Sequence, residues 1–280
     1  MIHASFLDDR AVLAHGGPEA RDFLQGLTTN DVTTVAEEQP VYTALLTPQG
    51  KILFDFFVVP DAEGRLLIDC AASRATDLMK RLTLYKLRAK VKIAHPTDLA
   101  LAAAWDDNGA FEIPGDVVRF RDPRHPSLGV RMIGARNALA NAIGGLAASD
   151  YQLHRLVLGV PDSADLTPDS VFALDAGLEE LNGVSFKKGC FIGQEVTARM
   201  KHRAAARRRF FVAEFAGEAP APGTPIISEE RELATFATGA NGRALALVRL
   251  DRWAEAEAKR APVTADGREV QLNKPEWLHV

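Results

Sequence analysis

The chain has 280 residues, of which 47% are apolar and 25% are charged, and its formal net charge is −4. This composition is typical of a folded globular protein of two or three domains and excludes a disordered or fibrous chain. No apolar run is long enough to cross a bilayer, so no membrane association is expected. The first residues lack the character of a signal or transit peptide, which predicts a cytoplasmic location.

The chain has two cysteines, Cys70 and Cys190, and seven histidines. Two cysteines cannot form a disulfide framework or a four-cysteine zinc or iron–sulfur site within the chain. The histidines are scattered without HExxH spacing, so no stable metal site is expected. A metal site shared with a partner or with glutathione stays open.

The first half of the chain predicts a mixture of helices and strands. PEARDFLQGLTTNDV (18–32) has a helical spacing that weakens at Gly26, and VYTALLTPQGKILFDFFVV (41–59) predicts a hairpin. The strand RLLIDC precedes SRATDLMKRLTLYKL, a predicted helix with Ser73 as its N-cap. KVKIAH, LALAAAW and LGVRMIG predict further strands. This order favours an α+β fold over a doubly wound parallel sheet.

The second half predicts a helix at YQLHRLVLG, then a helix in the segment GVSFKKGCFIGQEVTARMKHR. Ile192, Val196 and Met200 recur every four residues in that segment, which predicts a helix that begins near Gly193. After Arg209, the short runs FFVAEF, TPIIS, LATFATG, ALALVRL and REVQL predict a small all-β domain.

Residues 187–209 contain eight Lys or Arg and one acid, a local charge of +7 in an acidic chain. Such a segment indicates either an anionic ligand or partner, or simply a solvated helix face followed by a strand edge. Cys190 lies in this segment, just before the predicted helix. The helix dipole and the charges of Lys187 and Lys188 would favour the thiolate, so Cys190 is a candidate reactive thiol. Cys70 ends an apolar strand and is interpreted as a buried structural residue.

KKGCFIGQE resembles the K-G-C-Y-x-G-Q-E signature of the YgfZ family, a group related to the glycine-cleavage T-protein, with Phe191 in place of tyrosine. FLQGLTTNDV, TPQGKILFD, LGVPD and ARMKHR resemble further elements of that family, in the same order. The motifs FLQGLTTNDV and GVSFKKGCFIGQEVTAR resemble the mitochondrial-type iron–sulfur cluster assembly branch of the family more than its enterobacterial branch.

The resemblance implies a three-domain, ring-like T-protein architecture with a small C-terminal β-barrel. Its implied domains are a discontinuous folate-binding domain (1–47 and 135–205), an inserted ferredoxin-like α+β domain (48–134) and the barrel (206–280). It also implies a cleft that binds tetrahydrofolate. The implied function is assembly or repair of iron–sulfur clusters, especially four-iron clusters, which indirectly supports tRNA modification. Assembly proteins and client iron–sulfur enzymes are the implied partners.

The resemblance also assigns the site residues. Cys190 is the implied catalytic residue, acting as a nucleophile or as a transient metal ligand. The implied cofactor-binding residues are Asn30, Asp31, Asp55, Lys188, Gln194, Glu195 and Arg199. Turn or helix-capping chemistry explains Asn30 and Asp31 equally well, and stabilisation of the first helical turn explains Gln194 and Glu195.

Two departures from the T-protein pattern bear on catalysis. T-proteins that transfer an aminomethyl group have two adjacent acids where this chain has Phe54-Asp55, and an acid where it has Val157. Folate-dependent aminomethyl transfer is therefore the second hypothesis. An RNA-binding module that uses the basic segment is the third, and direct nucleic-acid binding is not expected because few aromatic residues are interleaved with the charges.

Overall fold

The computed structural model describes residues 1–37, 39–106, 117–203 and 206–279, and all statements below concern these residues. The strands are β1 (Ile2–Phe6), β2 (Arg10–Gly16), β3 (Val41–Leu46), β4 (Ile52–Pro60), β5 (Leu66–Ala71), β6 (Lys92–Ala94), β7 (Leu99–Asp106), β8 (Val118–Arg121), β9 (Val130–Ala135), β10 (Ala147–Ala148), β11 (Arg208–Phe215), β12 (Pro225–Ser228), β13 (Arg231–Ala240), β14 (Arg243–Arg249), β15 (Val263–Ala265) and β16 (Arg268–Asn273). The helices are α1 (Ala20–Gln25), α2 (Ala75–Lys86), α3 (Arg136–Ile143), α4 (Tyr151–Leu158), α5 (Gln194–His202) and α6 (Leu250–Lys259).

The strands form two five-stranded sheets and a barrel. The first sheet has the order β3-β4-β5-β2-β6, and the second has the order β10-β1-β7-β9-β8. The closed barrel has the order β11-β14-β13-β12-β15-β16. The predicted α+β class with a C-terminal β-barrel is therefore confirmed.

The predicted hairpin forms β3 and β4, and both faces of it are buried. Tyr42 and Phe57 point into the core between the two sheets, whereas Leu45 and Phe56 point into a second core beneath α1 and α2. Successive side chains of a strand alternate between faces, so a sheet covered on both sides needs apolar residues at nearly every position. This explains the continuous apolar runs around Gly50.

One face of the second sheet carries small side chains and the other face carries large ones. Ala102 and Ala104 of β7 pack towards Leu139 of α3, and Leu101 and Trp105 on the opposite face enter the core between the sheets. Small residues on one face let the helix approach the sheet closely, while the large residues fill the space between the sheets.

One local prediction is wrong. Ser73 does not cap α2, because a short 3-10 turn over Ala72–Arg74 already begins the coil, and Arg74 occupies the cap position without a side-chain hydrogen bond. The helices α3 and α6 are not predicted by the sequence analysis. The domain boundaries stay a prediction, although β3 and β4, on either side of the boundary between residues 47 and 48, pair in one sheet.

The barrel is tied to the rest of the chain through α4. Arg155 donates from Nη1 to Asp165 (2.7 Å) and from Nη2 to Thr238 of β13 (2.7 Å), and Trp277 donates to the carbonyl of Leu158. No helix within the described ranges is long and apolar enough to cross a membrane.

Candidate functional site

The cysteine loop, residues 186–193, is held against the N-terminal part of the chain by Lys188. Its ammonium donates to the backbone carbonyls of Gln25, Thr28 and Asn30 at 2.5–3.0 Å. These three bonds use all three N–H groups of the side chain. Burial lowers the pKa of Lys188 to about 8, so the group remains protonated at neutral pH. Lys188 thus fastens the cysteine loop instead of presenting its charge to a ligand.

Two glycines bring the cysteine loop onto the β3–β4 hairpin. Gly193 has a φ of +83° and precedes α5, and a Cβ there would lie 2.6 Å from the carbonyl oxygen of Thr47. Gly50 has a φ of +82°, and a Cβ there would lie 3.1 Å from the side chain of Val196. Both glycines are therefore required by left-handed backbone and by close approach of two segments. The helix predicted near Gly193 is confirmed as α5.

We expect Gly193→Ala to lower the free energy of unfolding by about 3 kcal/mol, because left-handed backbone costs an alanine about 1–2 kcal/mol and overpacking adds about 1–3 kcal/mol. Chemical denaturation measures this. Gly189→Ala is the matched control, since a Cβ at Gly189 has open space around it. Equal stability of the two variants would contradict the close packing at Gly193.

Cys190 is exposed, while its neighbour Phe191 is buried in the core between the sheets. The ring of Phe191 also lies 5.4 Å from the ammonium of Lys188. Lys188 and Phe191 anchor the loop on either side of the cysteine, and the thiol faces solvent. Cys70, by contrast, is buried as predicted, and burial raises the pKa of its thiol to about 12.

Asn30 and Asp31 make the turn contacts that the alternative interpretation describes. Asn30 donates from its amide to the carbonyls of Tyr42 and Asn182 at 2.9 and 2.7 Å. Asp31 accepts from the amide and the hydroxyl of Thr33 at 3.0 and 2.5 Å. The side chains of Asn30 and Asp31 therefore stabilise the loop whose carbonyls accept hydrogen bonds from Lys188. A role of these two residues in ligand binding stays a prediction.

Asp55 lies buried on β4 beside the LGVPD loop. One of its oxygens accepts from the hydroxyl of Tyr42 (3.1 Å) and the other from the hydroxyl of Ser163 (2.7 Å). Burial raises the pKa of Asp55, and the nearby charge of Asp162 raises it further. Burial alone would also raise the pKa of Asp162, but the guanidinium of Arg10 and other nearby arginines hold it well below its usual range.

Asp162 belongs to a buried ionic network that the sequence analysis did not identify. The network joins both sheets and the LGVPD loop through Arg10, Asp69, Asp122, Arg124, Arg131 and Asp162. Nε of Arg131 donates to Asp69 (2.8 Å), whose other oxygen accepts from Arg10 (2.7 Å). The available signal was a charged residue inside an otherwise apolar strand, as in RLLID and GVRMI, because such a charge needs a buried partner.

The remaining predicted residues lie on α5. Gln194 is its first residue, and Glu195 and Arg199 are exposed. The described part of the chain shows no ion pair between Glu195 and Arg199. The cofactor-binding role predicted for these three residues stays a prediction.

The side chains around Asp55 do not fit a bound tetrahydrofolate. Both carboxylate oxygens of Asp55 have partners within the chain, and the cavity beside it has a volume of about 20 Å³, which is room for about one water. Val157, where T-proteins have an acid, is 49% exposed and offers no hydrogen bond. Tetrahydrofolate binding is thus a prediction from the resemblance alone.

Comparison with known proteins agrees with this architecture. Residues 11–104 match a family model described as the GCVT N-terminal domain, and residues 207–280 match the CAF17 C-terminal beta-barrel domain. The crystal structure of glycine cleavage system aminomethyltransferase T from Bartonella henselae superposes with a TM-score of 0.75 at 16% identity, over 99% of this chain and 86% of that chain. The predicted T-protein-like fold is therefore confirmed.

Curated relatives carry the name iron–sulfur cluster assembly factor IBA57. The chain is 31% identical to the mitochondrial protein of Homo sapiens, over 97% of this chain and 84% of the relative. It is 33% identical to that of Mus musculus, over 78% and 67%. It is 31% identical to the homolog of Neurospora crassa over 78% of its own length, but spans only 55% of that relative.

These names correct one prediction and refine another. The predicted cytoplasmic location is contradicted, since the human, mouse and fungal relatives are all named as mitochondrial proteins. The YgfZ label itself is not confirmed, although the IBA57 proteins form a related family. The extent and identity of these matches show that the chain belongs to the IBA57 family of iron–sulfur cluster assembly factors.

Proposed function

We propose that this chain takes part in the assembly of iron–sulfur clusters and that Cys190 is the residue that contacts the cluster. The observation that carries the proposal is the position of Cys190: its thiol faces solvent on a loop anchored by Lys188, Phe191 and Gly193. A thiolate is the usual protein ligand of iron in such clusters. The names of the relatives support the same role.

Cys190 would act with ligands from a partner. Four-iron clusters are usually held by four cysteine thiolates, and the described ranges contain no group of three or more His, Cys, Asp or Glu side chains placed to hold a metal ion. The chain therefore supplies one ligand to a cluster that an assembly protein or a client enzyme holds with the others. The cluster is cargo in this proposal, and the partner supplies the remaining ligands.

A strain that lacks its own IBA57-type protein tests the proposal. We expect Cys190→Ser to abolish rescue of four-iron enzyme activity, because an alcohol is a far weaker iron ligand than a thiolate. Cys70→Ala is the matched control, since Cys70 is buried and its loss should leave rescue intact. Full rescue by Cys190→Ser at equal protein level would refute the role of the thiol.

Activity of a tRNA-thiolating iron–sulfur enzyme in the same strain tests the predicted indirect support of tRNA modification.

The two other functions considered from the sequence receive less support. Aminomethyl transfer requires folate chemistry, and the surroundings of Asp55 and Val157 do not fit folate. RNA binding would use the free cations of the basic segment, but Arg208 and Arg209 pair with the acids Asp175 and Glu180. These pairs leave fewer charges for phosphates than the sequence indicates.

A further inference from the structure

A cleft with a volume of about 550 Å³ lies where α5 meets the barrel. Its walls come from the loop around Phe172, from α5, from the residues that begin β11, and from β13 and β14. Pockets for small ligands have volumes of roughly 300–1,000 Å³ and form preferentially at domain interfaces. The cleft therefore has the size and the position of a small-molecule site.

Positive charge dominates the polar lining of this cleft. Its cations are Arg199, Arg207, Arg208 and Arg249. Its acids are Asp175 and Glu232, which leaves a surplus of two positive charges. Arg208 is neutralised by Asp175 at 3.2 Å, and Arg249 is neutralised by Asp251, which lies outside the lining, also at 3.2 Å. In the described ranges, no ion pair or side-chain hydrogen bond holds the guanidinium of Arg199 or that of Arg207, so both remain available to an anion.

Apolar side chains form the rest of the lining: Phe172, Val196, Met200 and Leu247. An anion that contacts the arginines would therefore lie beside hydrocarbon, where ionic hydrogen bonds are stronger than in open water. A bare inorganic anion would leave that apolar surface uncovered. The lining matches a ligand that has both an apolar body and negative charge.

We propose that this cleft binds a small organic molecule with an apolar or aromatic body and two negatively charged groups. Two charges match the two guanidinium groups of the lining that have no ion pair in the described part of the chain, those of Arg199 and Arg207, which would hold them through paired hydrogen bonds. The volume of the cleft matches such a ligand, whereas a nucleic acid or an acidic protein segment would also contact exposed cations outside the cleft, such as Arg203. The site is distinct from the role of Cys190, and its failure would leave that role standing.

Isothermal titration calorimetry with two probes on the full chain tests the site. The dianion 2,6-naphthalenedicarboxylate should bind saturably with one molecule per chain. Its matched monoanion, 2-naphthoate, should bind about tenfold more weakly, because it loses one charge-assisted hydrogen-bonded pair. Absence of saturable binding by the dicarboxylate, or equal affinity of the two probes, would overturn the proposal.

Variants locate the binding. We expect Arg199→Gln and Arg207→Gln, on two different walls, each to weaken binding of the dicarboxylate about tenfold, while Arg207→Lys weakens it less. Arg203→Gln is the matched control, because Arg203 is exposed in the same basic segment but does not line the cleft. Equal weakening by Arg203→Gln would indicate a diffuse basic surface of the kind that RNA or an acidic peptide uses, and would refute the cleft. Circular dichroism of each variant confirms that the fold is retained.

Discussion

Lys188→Met is expected to lower the free energy of unfolding by about 3 kcal/mol, because it removes the ammonium that donates to three backbone carbonyls, one in a buried and two in partly buried hydrogen bonds. The carbonyls of Gln25, Thr28 and Asn30 would lose their shared donor. Since these bonds also fasten the cysteine loop, the variant should label faster at Cys190 with a maleimide. Chemical denaturation and the rate of thiol labelling measure the two effects.

Lys187→Met is the matched control for this experiment. Lys187 is the preceding residue, carries the same charge and is exposed. Substitution of an exposed residue away from such contacts changes stability by about 0.5 kcal/mol or less. If Lys187→Met and Lys188→Met were equally stable and labelled equally fast, Lys188 would contribute only its charge, and the anchoring role would be wrong.

Arg131→Met is expected to destabilise the fold by about 3–5 kcal/mol, the usual cost of removing one partner from a buried ion pair. Arg131 is fully buried, contacts Asp69 and lies 3.7 Å from Asp122, and its guanidinium lies 4.5 Å from the ring of Phe57. The substitution would remove one buried positive charge that balances the carboxylates of Asp69 and Asp122. Chemical denaturation followed by fluorescence measures the loss.

Arg136→Met provides the comparison, because Arg136 also pairs with an aspartate, Asp8, but the side chains of this pair are 60% and 69% exposed. Exposed pairs contribute little to stability, since water screens both charges. A loss at Arg131 no larger than the loss at Arg136 would show that the network does not stabilise the packing of the two sheets.

Local pattern predicted much of the fold. The hairpin around Gly50, the strand RLLIDC, the helix after Gly193 and five of the six barrel strands follow from periodicity and from turn residues close by in sequence, whereas the short β15 was not predicted. Helices α3 and α6 were not predicted, because each directly follows a strand and no side chain at its N-cap forms a hydrogen bond that marks the start of the helix. The motifs around Cys190 also sufficed to indicate the T-protein-like architecture.

The roles of individual site residues depended on contacts that local pattern does not contain. Sequence proximity placed Lys188 beside Cys190 as a charge acting on the thiol. The structure shows its ammonium bonded to carbonyls about 160 residues earlier in the chain. Likewise, Asp55 was predicted to bind a ligand, and its oxygens instead accept from Tyr42 and Ser163.

The sequence by itself determined the elements, the order of the motifs and the choice of Cys190 over Cys70 as the candidate thiol, because these follow from residue types within a few positions of one another. Only the tertiary structure decided which polar groups satisfy one another, and therefore which remain available for chemistry. Burial makes that decision, since a buried donor, acceptor or charge must find a partner wherever the fold brings one. Lys188 and Asp55 found theirs within the chain, and Cys190 was left facing solvent.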